Sequence, residues 1–362
     1  MKKILIVITT EFVYYGGLTN VMMNYYKALN KDGLHIDFAS TNVVNENDRA
    51  YQFIKSNGSN YYCLGSRKRN TFNYLQKLYL LLKKNKYDVI HINGNSATMV
   101  LELVVSCLVG IKTRITHGHT TRSSHPIVHR ILKKPLNFLS TYKLAVSNST
   151  GKWLFGKDYI VLNNAINVHK FAFDKYKRKK IRDEIGISDA LVIGNVGKLY
   201  APKNHVFLLD VFHYIVSKNR NALLLLVGGG ELENSLKKKA YELGVDDKVL
   251  FLGMRDDVSD IVQAFDVFVF PSTYEGLGLA VIEAQASGLE CIVSDRVPIE
   301  TKVTDNIKYL SLDESPVIWA DAILNLNVRN REELSKQAME TIKASGYDIN
   351  FEAFKLETIY RS

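Results

Sequence analysis

Cysteine is scarce in this 362-residue chain: Cys63, Cys107 and Cys291 stand far apart, with no C-x-x-C pair. Neither a zinc knuckle nor a disulfide framework is indicated, and a reducing, cytoplasmic setting fits. Six prolines and no repetitive tract leave little room for long disorder. Long apolar runs are also missing. A bilayer span needs about 20 apolar residues, but the stretch MVLELVVSCLVGI is broken by Glu102, and the opening MKKILIVITTEF reaches Glu11 without a small-residue cleavage site. The opening therefore reads as a buried first strand rather than a leader, and any membrane contact is expected to be peripheral. The fingerprint G-x-G-x-x-G is absent, and Asp37 of HIDFAS sits in mid-strand rather than at a ribose-binding strand end, which weakens an NAD-dependent oxidoreductase.

What is present is globular in character, with 46% hydrophobic and 23% charged residues. The length predicts two domains. Lysine and arginine exceed aspartate and glutamate by 47 − 37 = 10, which points to anionic partners: nucleotides, phospholipid surfaces or nucleic acid. The basic residues are scattered and no nucleic-acid-binding motif occurs, so no nucleic-acid partner is expected. Strand-like and helix-like segments alternate through KILIVIT, TNVMMNYYKALNKDG, LHIDFAS, YDVIHIN and TRITHGHT. A second series runs through LVIGNVGKLYAPKNH, ALLLLVGGGELENSLKKKAYELG, KVLFLGM, DVFVFPS and ECIVSD. This predicts an α/β chain of two Rossmann-like halves, residues 1–170 and 171–345. The charged stretch DKYKRKKIRDEIG between them reads as a solvated helix face or as a partner patch.

Ligands of such sheets bind beyond the carboxyl ends of the strands, where glycine turns let a backbone approach phosphate. Gly16 and Gly17 lie at one such junction. Gly197 ends an apolar strand and is followed by Lys198 and Lys203, two cations suited to a diphosphate. The glycines of LLLVGGGELEN permit close packing, but Glu231 beside them disfavours an anion, so that turn reads as structural. In PSTYEGLGLAVIEAQASG a strand stops at Pro271, a turn follows, and from Leu279 the spacing is helical to Gly288. Glu275 lies on the turn and Glu283 one turn inside the helix, where its side chain tilts back toward the helix start. Free amides across Gly276, Leu277, Gly278 and Leu279 suit a phosphate, and a carboxylate suits vicinal hydroxyls. A ligand with sugar, diphosphate and ribose in series, a nucleotide-sugar, satisfies these groups together.

The E-x7-E pair within PSTYEGLGLAVIEAQASG, with FLGMRDDVSDIVQAFDVFVF, VGKLYAPKN, YYGGLTNVMMNYY and THGHTT, resembles the retaining glycosyltransferases of family 4, and most closely those that build bacterial exopolysaccharide and capsule. The resemblance implies a GT-B fold: two Rossmann-like domains facing each other across a cleft, with the carboxyl-terminal helix, residues 346–362, returning to the first. It implies that residues 1–170 bind the acceptor and 171–345 the donor. Glu283 would hold the donor ribose, Glu275 the donor sugar hydroxyls at the reacting end, and Lys198 with Lys203 the diphosphate, while Gly16 and Gly17 cap the phosphate. The family usually has arginine where Lys198 stands, and a proline where Glu290 stands.

His117 matches the segment where these enzymes place a histidine near the reacting sugar, a role suited to a neutral imidazole. His119, two residues on, invites a metal pair, but no carboxylate stands nearby and the lysines supply the charge a cation would bring, so no metal or cofactor is expected. His125 and His129 read as surface residues. The resemblance implies a UDP-sugar donor and a lipid-linked saccharide acceptor. Arg67, Lys68, Arg69, Lys83, Lys84, Arg130, Lys133 and Lys134, interleaved with apolar residues, are suited to an anionic membrane surface or a lipid diphosphate. Competing readings are a nucleotide-sugar 2-epimerase of the same fold and a non-enzymatic nucleic-acid or anionic-surface binder.

Overall fold

The computed structural model describes every residue except 14, 15, 122, 124, 188, 327 and 328. The chain divides into two compact units, Met1–Ala165 with Ile349–Ser362, and Ile166–Asp348.

The first unit is built on β1 (Lys2–Ile8), β2 (Leu34–Ser40), β3 (Tyr61–Cys63), β4 (Val89–Gly94), β5 (Thr113–Gly118), β6 (Tyr142–Ala145) and β7 (Ile160–Val161). They lie in the order β3-β2-β1-β4-β5-β6-β7, parallel throughout. A parallel strand covered on both faces must be apolar at consecutive positions. Ile4 through Ile8 meet that demand and are fully buried. Side chains alternate between faces, so Ile4, Ile6 and Ile8 enter one core while Leu5 and Val7 enter the other. Asp37, in mid-strand, is buried and accepts from the Asn60 amide and the Tyr87 hydroxyl, each at 2.7 Å. It is a structural acceptor.

The carboxyl-terminal helix, Ile349–Arg361, returns to this unit and packs on helix Gly17–Ala28. Ile349, Ala353, Leu356 and Tyr360, at helical spacing, join the core that holds Ile4 and Ile6. Glu352, buried beside them, accepts the Asn163 amide at 3.0 Å.

The second unit is built on β8 (Leu191–Val196), β9 (Ala222–Val227), β10 (Val249–Gly253), β11 (Val267–Phe270), β12 (Glu290–Ser294) and β13 (Ile307–Leu310). Their order is β10-β9-β8-β11-β12-β13, again parallel. The charged stretch before β8 is a helix, Lys175–Ile185. Arg178 and Arg182 on it bind the Asp266 carboxylate, and Arg182 also donates to Ala190 O at 2.6 Å. These two arginines anchor the helix to the starts of β8 and β11, while its lysines stay in solvent.

Each sheet reverses its winding once, between β1 and β4 and between β8 and β11. Loops leaving adjacent strands at such a point diverge and open a crevice at the strand ends.

Candidate functional site

In the second unit the reversal brings together the two loops singled out from the sequence. One leaves β8 as Gly197–Asn204 and the other leaves β11 as Pro271–Gly278. They are stitched by the Thr273 amide donating to Pro202 O at 2.8 Å. Lys203 crosses from the first loop to the second: its Nζ lies 2.6 Å from Glu275 Oε1 and 4.4 Å from the centre of the Phe270 ring. Both charged ends are largely buried, so the pair fixes both side chains in place. Lys198 is not joined to it; its ammonium lies over Tyr200, 5.8 Å from the ring centre.

Asn204 takes a left-handed conformation, φ 56°, and starts helix His205–Lys218. His205 beneath the lysines is bound through Nε2 to Asn195 Oδ1 at 3.0 Å, and Asn195 Nδ2 donates to Val269 O at 2.7 Å. Because the amide nitrogen is the donor to Val269, its oxygen is the acceptor and His205 Nε2 carries the proton. Burial, with the Lys203 charge adding to it, lowers the His205 pKa to about 4, so the ring is neutral. This His–Asn bridge ties β8 to β11 directly below the two loops.

The glycines of the β9 turn are explained by the loop lying on them. A Cβ at Gly228 would stand 2.1 Å from Gly197 O, and one at Gly230 would stand 2.2 Å from Leu199 O. Gly228 also has φ +137°, a region closed to other residues. These glycines support the backbone that carries Lys198.

Gly278, at φ +83°, ends the second loop and caps helix Leu279–Ala286. Leu277 and Leu279 turn their side chains into a core with Ile166, Ile282 and Ala338, which leaves the backbone as the part of this turn that faces outward. The amides of Gly276, Leu277, Gly278 and Leu279 meet no acceptor among the described residues, and open space surrounds Gly276 where a Cβ would be. Glu283, half-buried on the helix, has no ion pair or hydrogen bond to its carboxylate among the described residues. Burial alone pushes its pKa up to about 7. Free amides and a helix start attract an anion, and an unpartnered, desolvated carboxylate calls for hydroxyl donors.

In the first unit Gly16 precedes helix Gly17–Ala28, its amide bound to Val13 O at 2.8 Å. A Cβ at Gly16 would crowd Val13, whereas Gly17 has open space. His117 on β5 is fully buried, stacked between His91 and His119 with ring centres 5.4 and 4.2 Å away. Among the described residues no hydrogen bond of ordinary geometry reaches either of its ring nitrogens. Burial, reinforced by His119 and His91, holds its pKa well below the usual value; the Leu162 backbone opposes this and is outweighed. His119 is the partly exposed member, its Nε2 at 3.0 Å from Asn93 Oδ1. His91 joins the carboxyl-terminal helix through a 2.6 Å bond between Nδ1 and the Tyr360 hydroxyl.

Three placements differ from the sequence reading. His129 is not on the surface: it sits on the inner side of helix Pro126–Leu139, accepts the Ala97 amide at 3.1 Å and stacks on Trp153. Arg67 is not free for an anion, since Glu102 and Thr98 O hold its guanidinium. Glu290 has a partner in Arg329, 2.6 Å away, which accounts for a carboxylate where a proline was expected. Asn195 and His205 escaped the sequence reading altogether. The only signal was their place at the end of one strand and the start of the helix after it.

The sequence matches two families of known proteins: residues 15–167 match "Glycosyltransferase Family 4" and residues 177–341 match "Glycosyl transferases group 1". EpsF of Bacillus subtilis, named as a glycosyltransferase, is 28% identical over 95% of this chain and 93% of its own. An Escherichia coli enzyme named UDP-Gal:alpha-D-GlcNAc-diphosphoundecaprenol alpha-1,3-galactosyltransferase is 32% identical over 61% of each chain. The crystal structure of Anabaena HepE in complex with UDP superposes with a TM-score of 0.75 at 16% identity, covering 100% of both chains; that likeness concerns the fold.

Proposed function

This chain belongs to the GT-B glycosyltransferases, family 4 in its first half and group 1 in its second, and from that premise we propose that it moves a sugar from a UDP-sugar to a hydroxyl of a lipid-linked saccharide during assembly of a bacterial surface polysaccharide. The observation that carries the reading is the unpartnered Glu283 beside free amides and two lysines at the β8/β11 reversal. Glu283 accepts from the ribose hydroxyls, and its full charge is restored by those donors. The amides of Gly276 through Leu279 and the ammonium groups of Lys198 and Lys203 meet the diphosphate. Glu275, held by Lys203, faces the hydroxyls of the donor sugar. Within the first unit, taken by itself, Gly17 at its helix start offers an open backbone that suits a phosphate, and His119, at the open end of the histidine stack and backed by the buried neutral His117, suits a sugar hydroxyl.

The anomeric carbon loses its bond to the diphosphate and gains one to the acceptor oxygen on the same face. The acceptor proton passes to the departing phosphate oxygen, and negative charge building there is met by donors already in place. Retention of configuration follows from this same-face path. The relatives support the donor and the acceptor: UDP and UDP-glucose occupy HepE structures, and the Escherichia coli relative is named for a diphosphoundecaprenol substrate.

The test is thermal stability against a panel of nucleotides. A ligand at about 100 times its Kd stabilises the folded state by about 2.7 kcal/mol. UDP should raise the melting temperature of the native chain, and Glu283→Ala should abolish that response. Stabilisation by NAD or nucleic acid alone would overturn the reading. Transfer yields a new glycoside whose anomeric signal by NMR shows retention, whereas an epimerase yields none.

A further inference from the structure

The basic residues, scattered in the sense that they form no continuous run, are nonetheless unevenly matched by acids along the chain. Residues 49–157 contain 18 lysines and arginines and only two acids, Asp88 and Glu102, a balance of 18 − 2 = +16, which leaves 29 − 35 = −6 for the rest. Glu102 is buried and holds Arg67, while Asp88, exposed before β4 and outside any helix, accepts the Lys3 amide at 2.7 Å. This segment supplies helices Thr71–Asn85, Val100–Val109 and Pro126–Leu139, which share one core on one face of the first sheet.

The outer side of this layer is apolar as well as basic. Ile127, Ile131 and Phe138 are 75%, 67% and 87% exposed. At about 100° per residue they fall on one stripe, opposite His129 and Leu136, which are buried. Arg130 and Lys134 flank the stripe, exposed, and no ion pair engages them among the described residues. The two neighbouring helices add exposed Leu108, Phe72 and Leu80. Large apolar side chains gathered on a free surface mark a contact, and here they sit in a layer with no exposed acid to pair a basic partner protein.

We propose that this three-helix layer docks on an anionic bilayer, with the Ile127–Ile131–Phe138 stripe entering the headgroup region and Arg130 and Lys134 meeting lipid phosphates. An amphipathic helix with cations beside its apolar face takes this position, and each basic residue near an anionic leaflet adds attraction. Among the described residues no helix is long and apolar enough to cross a membrane, so the contact is interfacial. The docking rests on the lipid-linked acceptor reading for its purpose: a transferase whose acceptor is anchored in a bilayer works at the bilayer.

The experiment is co-sedimentation of the full chain with vesicles of phosphatidylglycerol and phosphatidylcholine, against phosphatidylcholine alone, over a salt series. The native chain should bind the anionic vesicles, and less so as salt rises. Arg130→Gln with Lys134→Gln should weaken binding about tenfold or more. Ile127→Glu, Ile131→Glu and Phe138→Glu together should reduce it to the level of phosphatidylcholine alone. The same preparations are scored for UDP-induced stabilisation, which must persist in both variants if only the surface has changed. A native chain that ignores anionic vesicles, or a triple variant that binds as tightly, overturns the docking. So does a native dimer that the triple variant dissociates while lipid binding is absent. Failure of the transferase reading would show separately, as no response to UDP in any preparation.

Discussion

Glu283 is where residue chemistry and pH meet. Burial favours its protonated form, so the folded chain keeps a proton that the unfolded chain, with a carboxyl near 4.5, releases. The sign follows directly: between about pH 4.5 and 7 stability falls as pH rises, and the penalty is complete above 7. Glu283→Gln removes it, and in urea unfolding the variant should exceed the native chain by about 2 kcal/mol above pH 7, with the gap closing toward pH 4.5. Hydroxyl donors bind the ionised form, so the UDP affinity of the native chain should weaken below pH 7 relative to that of Glu283→Gln, measured by calorimetry on both so that titration of UDP itself cancels. The E-x7-E spacing put this residue on a helix near its start. That it would lack a partner was not legible, since partners of a side chain come from segments remote in sequence. Lys203 and Glu275, 72 positions apart and joined at 2.6 Å, make the same point.

At the scale of elements, the two loops at β8 and β11 differ in what holds them. The Gly197–Asn204 loop lies on the β9 turn so closely that a methyl group at 228 would strike Gly197 O. Gly228→Ala should therefore lose about 2 kcal/mol or more in stability, and UDP binding with it, because the backbone carrying Lys198 must move. Gly276 faces open space with an ordinary backbone conformation. Gly276→Ala should change stability by no more than about 0.5 kcal/mol, yet weaken UDP binding in the same calorimetric titration if a phosphate approaches that backbone. Equal binding by Gly276→Ala and the native chain would remove this turn from the phosphate site. The sequence reading of the triple glycine as structural rested on Glu231 alone; the physical reason, close approach of another strand's loop, came from the fold.

For the molecule as a whole, the carboxyl-terminal helix completes the first unit. Leu356 is fully buried in a core with Ile4, Phe38 and Val89, so Leu356→Ala leaves a cavity costing about 3 kcal/mol. In calorimetry of the full chain it should lower the transition of the first unit and leave that of the second, the one UDP is expected to raise under the proposed function, where it was. Movement of the UDP-sensitive transition instead would mean that the helix stabilises the second unit.

The sequence by itself determined the α/β class and the two parallel-sheet halves, because buried parallel strands demand continuous apolar runs; the glycosyltransferase character was legible through the family resemblance carried by the glycine turn and the E-x7-E helix. It also contained the charge asymmetry of residues 49–157. Only the tertiary structure decided which cations are free. Arg67 is consumed by a buried glutamate while Arg130 and Lys134 stand beside exposed isoleucines, and His129, on the same helix, faces inward. Composition counts side chains without regard to direction. Direction is set by which face of a helix meets the core, and that is fixed by contacts between segments distant in the chain.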